Sequence, residues 1–143
     1  MHPIIRGVTA SVNQGKASID AVVSEYAVVS GKVSDVRPWM ARGEVFIVPI
    51  RVGGGTRLKI YEAMAMGLPV VSTAIGAEGL KYAQGDNILI ADHKDDLARA
   101  IMDLFLNPDL RRKMSKAARD FVVANYSWLR IAEQFLDIVF DGR

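Results

Sequence analysis

Short runs with apolar residues on both faces recur along this chain, and they constrain its fold more than any other feature. In Val45-Phe46-Ile47-Val48-Pro49-Ile50 the residues on both faces of an extended segment are apolar. Such a strand must be covered on both sides, as parallel strands between layers of helices are. Tyr26-Ala27-Val28-Val29-Ser30, ending at Gly31, Pro69-Val70-Val71-Ser72-Thr73 and Asn87-Ile88-Leu89-Ile90 repeat the pattern. Between and after these runs the apolar period lengthens to that of helices. A helix-length segment around Arg37 to Arg42 is opened by Pro38 and closed by Gly43, and another runs from about Arg57 to Met66, stopped by Gly67 and Pro69. Asp95 to Leu106 carries Leu97, Ile101, Leu104 and Phe105 on one face. Asn107 and Pro108 open a helix with Leu110, Met114, Ala117 and Phe121 on a second apolar face, ending at Asn125. Ser127 caps a last helix with Trp128, Ile131, Phe135 and Val139, whose helical spacing predicts packing in a core.

The predicted fold class is therefore α/β, a three-layer parallel sheet with helices on both faces and further helices at the C-terminus. Sheets of this class bind ligands at the carboxyl ends of their strands, which points to the loops after Ser30, Ile50 and Thr73. Residues 1–25 fit the pattern less well, because Val12-Asn13-Gln14-Gly15 interrupts any long element. They read as a truncated or atypical start, and residues 26–143 as the domain.

Composition excludes several classes. The formal net charge is +2, from 18 basic and 16 acidic residues with no long basic block, so no nucleic-acid footprint is expected. The chain has no cysteine, which excludes disulfides, thiolate metal sites and cysteine catalysis. His2 and His93 lack the partner spacing of a metal site. The start Met1-His2-Pro3-Ile4-Ile5-Arg6 has too short an apolar run for a signal peptide or a span. A soluble, cytoplasmic protein is expected. The mean hydropathy of +0.16 is high for a small domain and predicts apolar surface that faces another domain or chain.

The segment with most chemical content is Arg51-Val52-Gly53-Gly54-Gly55-Thr56-Arg57-Leu58-Lys59-Ile60-Tyr61-Glu62. Glycines before a helix allow positive φ and a close ligand approach, and the helix start offers unpaired N–H groups to a phosphate. Arg57 and Lys59 are poorly placed for the helix dipole in a first turn, and a bound diphosphate would account for them. Glu62 is flanked by apolar or small residues nearly all round, so a buried helix and a costly carboxylate are expected. Vicinal ribose hydroxyls would satisfy it, and so would Lys59 one turn earlier. Two readings stay open on spacing alone: a diphosphate seat with a ribose-binding carboxylate, or a tight turn with an internally satisfied glutamate.

Beyond these residues, Val33-Ser34-Asp35-Val36-Arg37-Pro38, Val48-Pro49-Ile50, the whole run from Gly53 through Gly67 to Thr73, and Gly76-Ala77-Glu78-Gly79-Leu80 resemble the group 1 glycosyltransferases. The likeness runs from roughly Tyr26 to the end. It implies the second, Rossmann-like half of the two-domain architecture called GT-B, in a retaining enzyme. By this resemblance the domain binds a nucleoside-diphosphate sugar of UDP or GDP type, with no cofactor and no metal, and the whole enzyme transfers the sugar to a hydroxyl acceptor. Gly53, Gly54, Gly55, Thr56, Arg57 and Leu58 would approach the diphosphate and sugar, Glu62 the ribose, and Gly31, Val33 and Ser34 the base. Glu78 and Gly79 would lie on a loop near the donor pocket, a plain turn being the alternative. Arg57, Lys59 and the Gly54–Thr56 amides are the candidates for stabilising the leaving diphosphate.

Two departures qualify that expectation. Many members carry a second glutamate, and eight positions before Glu62 this chain has Gly54; a subgroup with the same glycine-rich run shares the loss. By the resemblance this chain is expected to lack the N-terminal acceptor domain and the basic residues that usually grip the diphosphate, and so to be inactive alone. A non-catalytic nucleotide-binding or oligomerisation module is the alternative reading. An epimerase of the same architecture would need a cleft histidine, for which neither His2 nor His93 is placed.

The resemblance also implies that the last helix packs back toward the first domain, leaving part of its face exposed or covered by a second copy in a homodimer. Trp39 is expected beneath the Val33 loop, with stacking on the base as the alternative. The face Arg111-Arg112-Lys113-Lys116 reads as solvated, with peripheral contact at the inner membrane face as the alternative.

Overall fold

The computed structural model of the chain describes residues 33–141. The strand expected at Tyr26–Ser30, the candidate Gly31 and the atypical start at residues 1–25 lie outside that range. The described elements follow in the order α1 (Arg37–Met40), β1 (Phe46–Val48), α2 (Lys59–Ala65), β2 (Val70–Ser72), β3 (Leu89–Ile90), α3 (Lys94–Leu106), α4 (Pro108–Tyr126) and α5 (Trp128–Asp141).

The strands form one parallel sheet in the order β1-β2-β3, with Phe46 opposite Val70 and Val71 opposite Leu89. Alternation of side chains sorts the apolar runs onto two faces. Val48, Val70 and Ile88 pack with Met40, Ile60, Met64, Ala118 and Val122 from α1, α2 and α4. Val45 and Val71 pack with Leu104 of α3 and Met114 of α4, with Ile47 and Leu89 against them. Adjacent residues Val70 and Val71 thus serve opposite cores, both with no exposure to solvent, which is why the runs are apolar on both faces. The expected three-layer α/β arrangement is present, and α4 is long enough to reach both cores.

Helix boundaries follow local chemistry. Asp35 accepts the Arg37 amide at 2.9 Å ahead of α1, and the Arg37 guanidinium holds its carboxyl below the usual range. His93 Nδ1 accepts the Asp95 amide at the start of α3. Asn107 Oδ1 accepts the Leu110 amide at 3.0 Å, followed by Pro108 at the first helical position of α4. Ser127 Oγ accepts the Arg130 amide at 3.3 Å, as expected of the cap of α5.

Two packing expectations are corrected. Trp128 is 90% exposed and Phe135 64% exposed, so helical spacing did not place them in a core. The residues from Trp128 to Phe140 are exposed, and no described element covers the apolar face of α5. In the basic face of α4, Arg112, Lys113 and Lys116 are exposed as expected, but Arg111 is half-buried and donates to the Leu104 and Phe105 carbonyls at the end of α3. Trp39 is partly exposed, with the Arg42 guanidinium 5.8 Å from its ring centroid. Among the described residues no helix is long and apolar enough to cross a membrane.

Candidate functional site

Three parallel strands put their carboxyl ends on one edge, and the loops leaving them are tied together there. β1 leads through Pro49 and Ile50 into the glycine loop. β2 leads through Thr73 into a turn over residues 74–79. β3 leads to Asp92. Thr73 is the hub: its hydroxyl donates to the Ile50 carbonyl and accepts the Gly76 amide at 2.9 Å. Asp92 Oδ1 accepts the Ala74 amide at 2.8 Å, which joins the end of β3 to the same turn. A Cβ at Gly76 would lie 2.8 Å from the Val48 carbonyl oxygen and closer still to Ser72 Oγ. The turn therefore closes directly onto the ends of β1 and β2, and only glycine fits.

The second contact is between the turn and the glycine loop. A Cβ at Gly79, whose φ is +76°, would lie 3.1 Å from Thr56 Oγ1. Two of the three candidate loops, those after Ile50 and Thr73, are thus one assembly at the carboxyl edge. Thr56 and Gly79 meet, and the exposed Glu78 lies beside them in sequence. The third loop, after Ser30, begins outside the described residues. Val33 is half-buried and Ser34 exposed, both ahead of α1, and no hydrogen bond among the described residues ties them to the glycine loop.

Within the glycine loop, Gly53 at φ +136° and Gly55 at φ +90° take conformations that side chains disfavour, so this is where glycine is required by the backbone. Gly54 has open space where a Cβ would be. Arg57 turns back into the loop. Its Nη1 donates to the Gly54 carbonyl at 2.7 Å, and its Nη2 would be 2.8 Å from a Cβ at Gly53. Its Nε is shielded from solvent with no acceptor. Arg57 thus precedes the helix rather than forming its first turn, and the Ile60 amide donates to the Arg57 carbonyl at 2.9 Å. Leu58 is 63% exposed. Lys59 opens α2, half-buried and without an ion-pair partner among the described residues.

Glu62 is corrected in its surroundings. α2 buries Ile60, Ala63 and Met64, which share one side, and at 3.6 residues per turn Glu62 falls on the opposite side, exposed. It makes no ion pair with Lys59. The argument that burial obliges Glu62 to find a partner therefore does not hold, and its place one turn beyond the glycine loop is what remains.

Tyr61, beside it, was not singled out by the sequence. Its hydroxyl accepts the Lys81 amide at 2.8 Å, and its proton serves either the Tyr126 hydroxyl at 3.0 Å or the Lys81 carbonyl at 3.1 Å. The ring stacks on Tyr126 with centroids 4.3 Å apart. Burial, and then the bond to Tyr126, push its pKa up to about 12. Tyr61 fixes α2 against α4 and the chain that follows the turn. A polar residue directly after an apolar run was the available signal for Thr73 and Asp92; nothing comparable marked Tyr61.

The shallow groove lined by Glu44, Leu68, Arg112 and Lys116 is at the other edge, since Glu44 and Leu68 precede β1 and β2. Its cations are engaged: Arg112 pairs with Asp109, Lys116 with Asp120, and Arg119 donates to the Ala65 carbonyl at the end of α2.

The chain is similar to several known proteins. Spore coat protein SA of Bacillus subtilis is 32% identical over 81 residues, 54% of this chain and 22% of its own length. A GDP-mannose-dependent alpha-(1-6)-phosphatidylinositol monomannoside mannosyltransferase of Mycobacterium tuberculosis is 25% identical over 87% of this chain and 35% of its own. The lipopolysaccharide core biosynthesis glycosyltransferase LpsE of Rhizobium meliloti is 28% identical over 89% and 38%. The chain thus spans well under half the length of these relatives. Its fold matches the crystal structure of the C-terminal domain of a glycosyl transferase group 1 family protein (LpcC) from Francisella tularensis. That match has a TM-score of 0.65 and 20% identity, over 76% of this chain and 58% of that one. The model of the family described as "Glycosyl transferases group 1" matches residues 7–107, and the chain belongs to that family as an α/β domain of the GT-B C-terminal type.

Proposed function

We propose that this domain binds the nucleoside-diphosphate part of a nucleotide sugar, the donor for transfer to a hydroxyl acceptor with retention of configuration. The observation that carries this reading is the glycine loop at the carboxyl edge of the sheet, with positive φ at Gly53 and Gly55, Arg57 and Lys59 beside it, and the turn bearing Glu78 and Gly79 against Thr56. A backbone that can be approached closely, next to cations, suits a diphosphate. Glu62 is proposed for the ribose hydroxyls, and Gly31, Val33 and Ser34 for the neighbourhood of the base. A relative named as GDP-mannose-dependent supports a guanine nucleotide as the first choice, with UDP as the other candidate of the resemblance. The acceptor and the transfer step are assigned to a full-length enzyme, and the chain of residues 1–143 is proposed to bind without turning over.

Calorimetric titration with UDP, GDP and ADP tests the reading. One nucleotide is expected to bind, and Glu62→Ala is expected to weaken it about tenfold or more, the loss of a hydrogen-bonded carboxylate. Failure of all three to bind would sink the donor-site reading for this chain.

A further inference from the structure

Arg57 and Lys59 are two residues apart, yet their surroundings divide them. The Arg57 guanidinium lies inside the loop, committed to the Gly54 carbonyl at 2.7 Å. It fills the space where any side chain at Gly53 would begin, with Nη2 2.8 Å from that position. Its Nε–H is hidden from solvent and unpaired. A cation folded against backbone in this way bridges the start and end of the loop, from Gly53 and Gly54 to the entry of α2. Lys59 has no such commitment: neither an ion pair nor a side-chain hydrogen bond holds its ammonium among the described residues.

We propose a division of labour in which Arg57 is a positioning residue that holds the glycine loop in shape, while Lys59 supplies the charge that meets the diphosphate. The second half rests on the donor-site reading above; the first does not. Gly53 belongs to the Arg57 half of the device. Its positive φ permits the bend, and its lack of a side chain leaves room for the guanidinium. A cation held by a carbonyl positions its loop whether or not an anion is present, whereas an uncommitted ammonium acts through charge and is screened by salt.

The two halves have separate readouts on the full chain. Nitrogen-15 relaxation reports loop order without any ligand. In the parent protein the Gly53, Gly54 and Gly55 amides are expected near the rigid range, an order parameter of about 0.85, and in Arg57→Ala below about 0.6. Gly53→Ala, which displaces the guanidinium, should loosen the same amides, and Lys59→Ala should leave them as they are. The Arg57 Nε–H should give a resonance that exchanges slowly with water, a signature lost when the guanidinium is displaced by Gly53→Ala.

Titrations of UDP and GDP against uridine and guanosine then test Lys59. Lys59→Ala is expected to lose about tenfold in diphosphate affinity and most of its salt dependence, with nucleoside affinity unchanged. Arg57→Ala should weaken diphosphate binding and keep its salt dependence. Loop amides that stay rigid in Arg57→Ala overturn the Arg57 assignment. A salt dependence that vanishes with Arg57 and survives loss of Lys59 reverses the roles. If no nucleotide binds the parent protein, the Lys59 half falls together with the donor site, while the relaxation data still decide the Arg57 half.

Discussion

Among the described glycines Gly76 stands at the tightest approach. A methyl group there would meet the Val48 carbonyl at 2.8 Å, and that oxygen cannot move without pulling the end of β1. Gly76→Ala is expected to destabilise the fold by about 1–3 kcal/mol, the range of a forced overpacking. Urea unfolding should show it as a lower midpoint with an unchanged slope; an unchanged midpoint would remove the close approach. Tyr61 makes a prediction in pH. Its folded pKa, about 12, is raised above the model-compound value of 10.0. The unfolded chain therefore releases this proton first as pH rises. Tyr61's contribution is complete below 10.0, declines between 10.0 and about 12, and is gone above. The stability gap between the parent and Tyr61→Phe should narrow across that window, and a gap that stays constant in melting experiments argues against the raised pKa.

The helices are secured largely at their ends. Arg111 donates to the last carbonyls of α3, and Arg119 to Ala65 at the end of α2, each a cation at the favourable pole of a helix. Arg111→Ala is expected to cost about 1 kcal/mol, as is removal of the Asn107 cap, whereas Lys113→Ala should stay within about 0.5 kcal/mol. Equal losses from Arg111 and Lys113 in thermal melts would mean that α4's basic face acts only through net charge. The sequence offered no means of separating these neighbours, because both lie on a basic stretch and only the crossing of α3 over α4 selects Arg111. The same holds for Glu62 and Lys59: the direction from which α4 packs decides which third of α2 is inside.

At the scale of the molecule, the described residues bury their apolar side chains in the two cores around the sheet, and α5 contributes little to either. Leu104→Ala or Ile60→Ala should cost about 2–5 kcal/mol, since both side chains are wholly buried. Trp128→Ala or Phe135→Ala should change stability by no more than about 0.5 kcal/mol, because each is mostly exposed. Large losses from the α5 variants in dilute solution would show that this helix packs into the fold after all. A second copy of the chain on this apolar face is a proposal that light scattering decides: a dimer is expected, and a monomer at high concentration excludes it.

The sequence by itself determined the alternation of parallel strands and helices, the caps at Asn107 and Ser127, and the candidate loops after Ile50 and Thr73. These features are local. A short run apolar on both faces, a proline at a helix start or a glycine before a helix carries its signal in a few adjacent residues. Tertiary structure alone decided that Thr56 meets Gly79, that Gly76 sits on the Val48 carbonyl and that Glu62 faces solvent. Each depends on strand register or on the angle at which a helix crosses the sheet. Contacts between residues distant in sequence are set by how whole elements pack, and no short pattern encodes them.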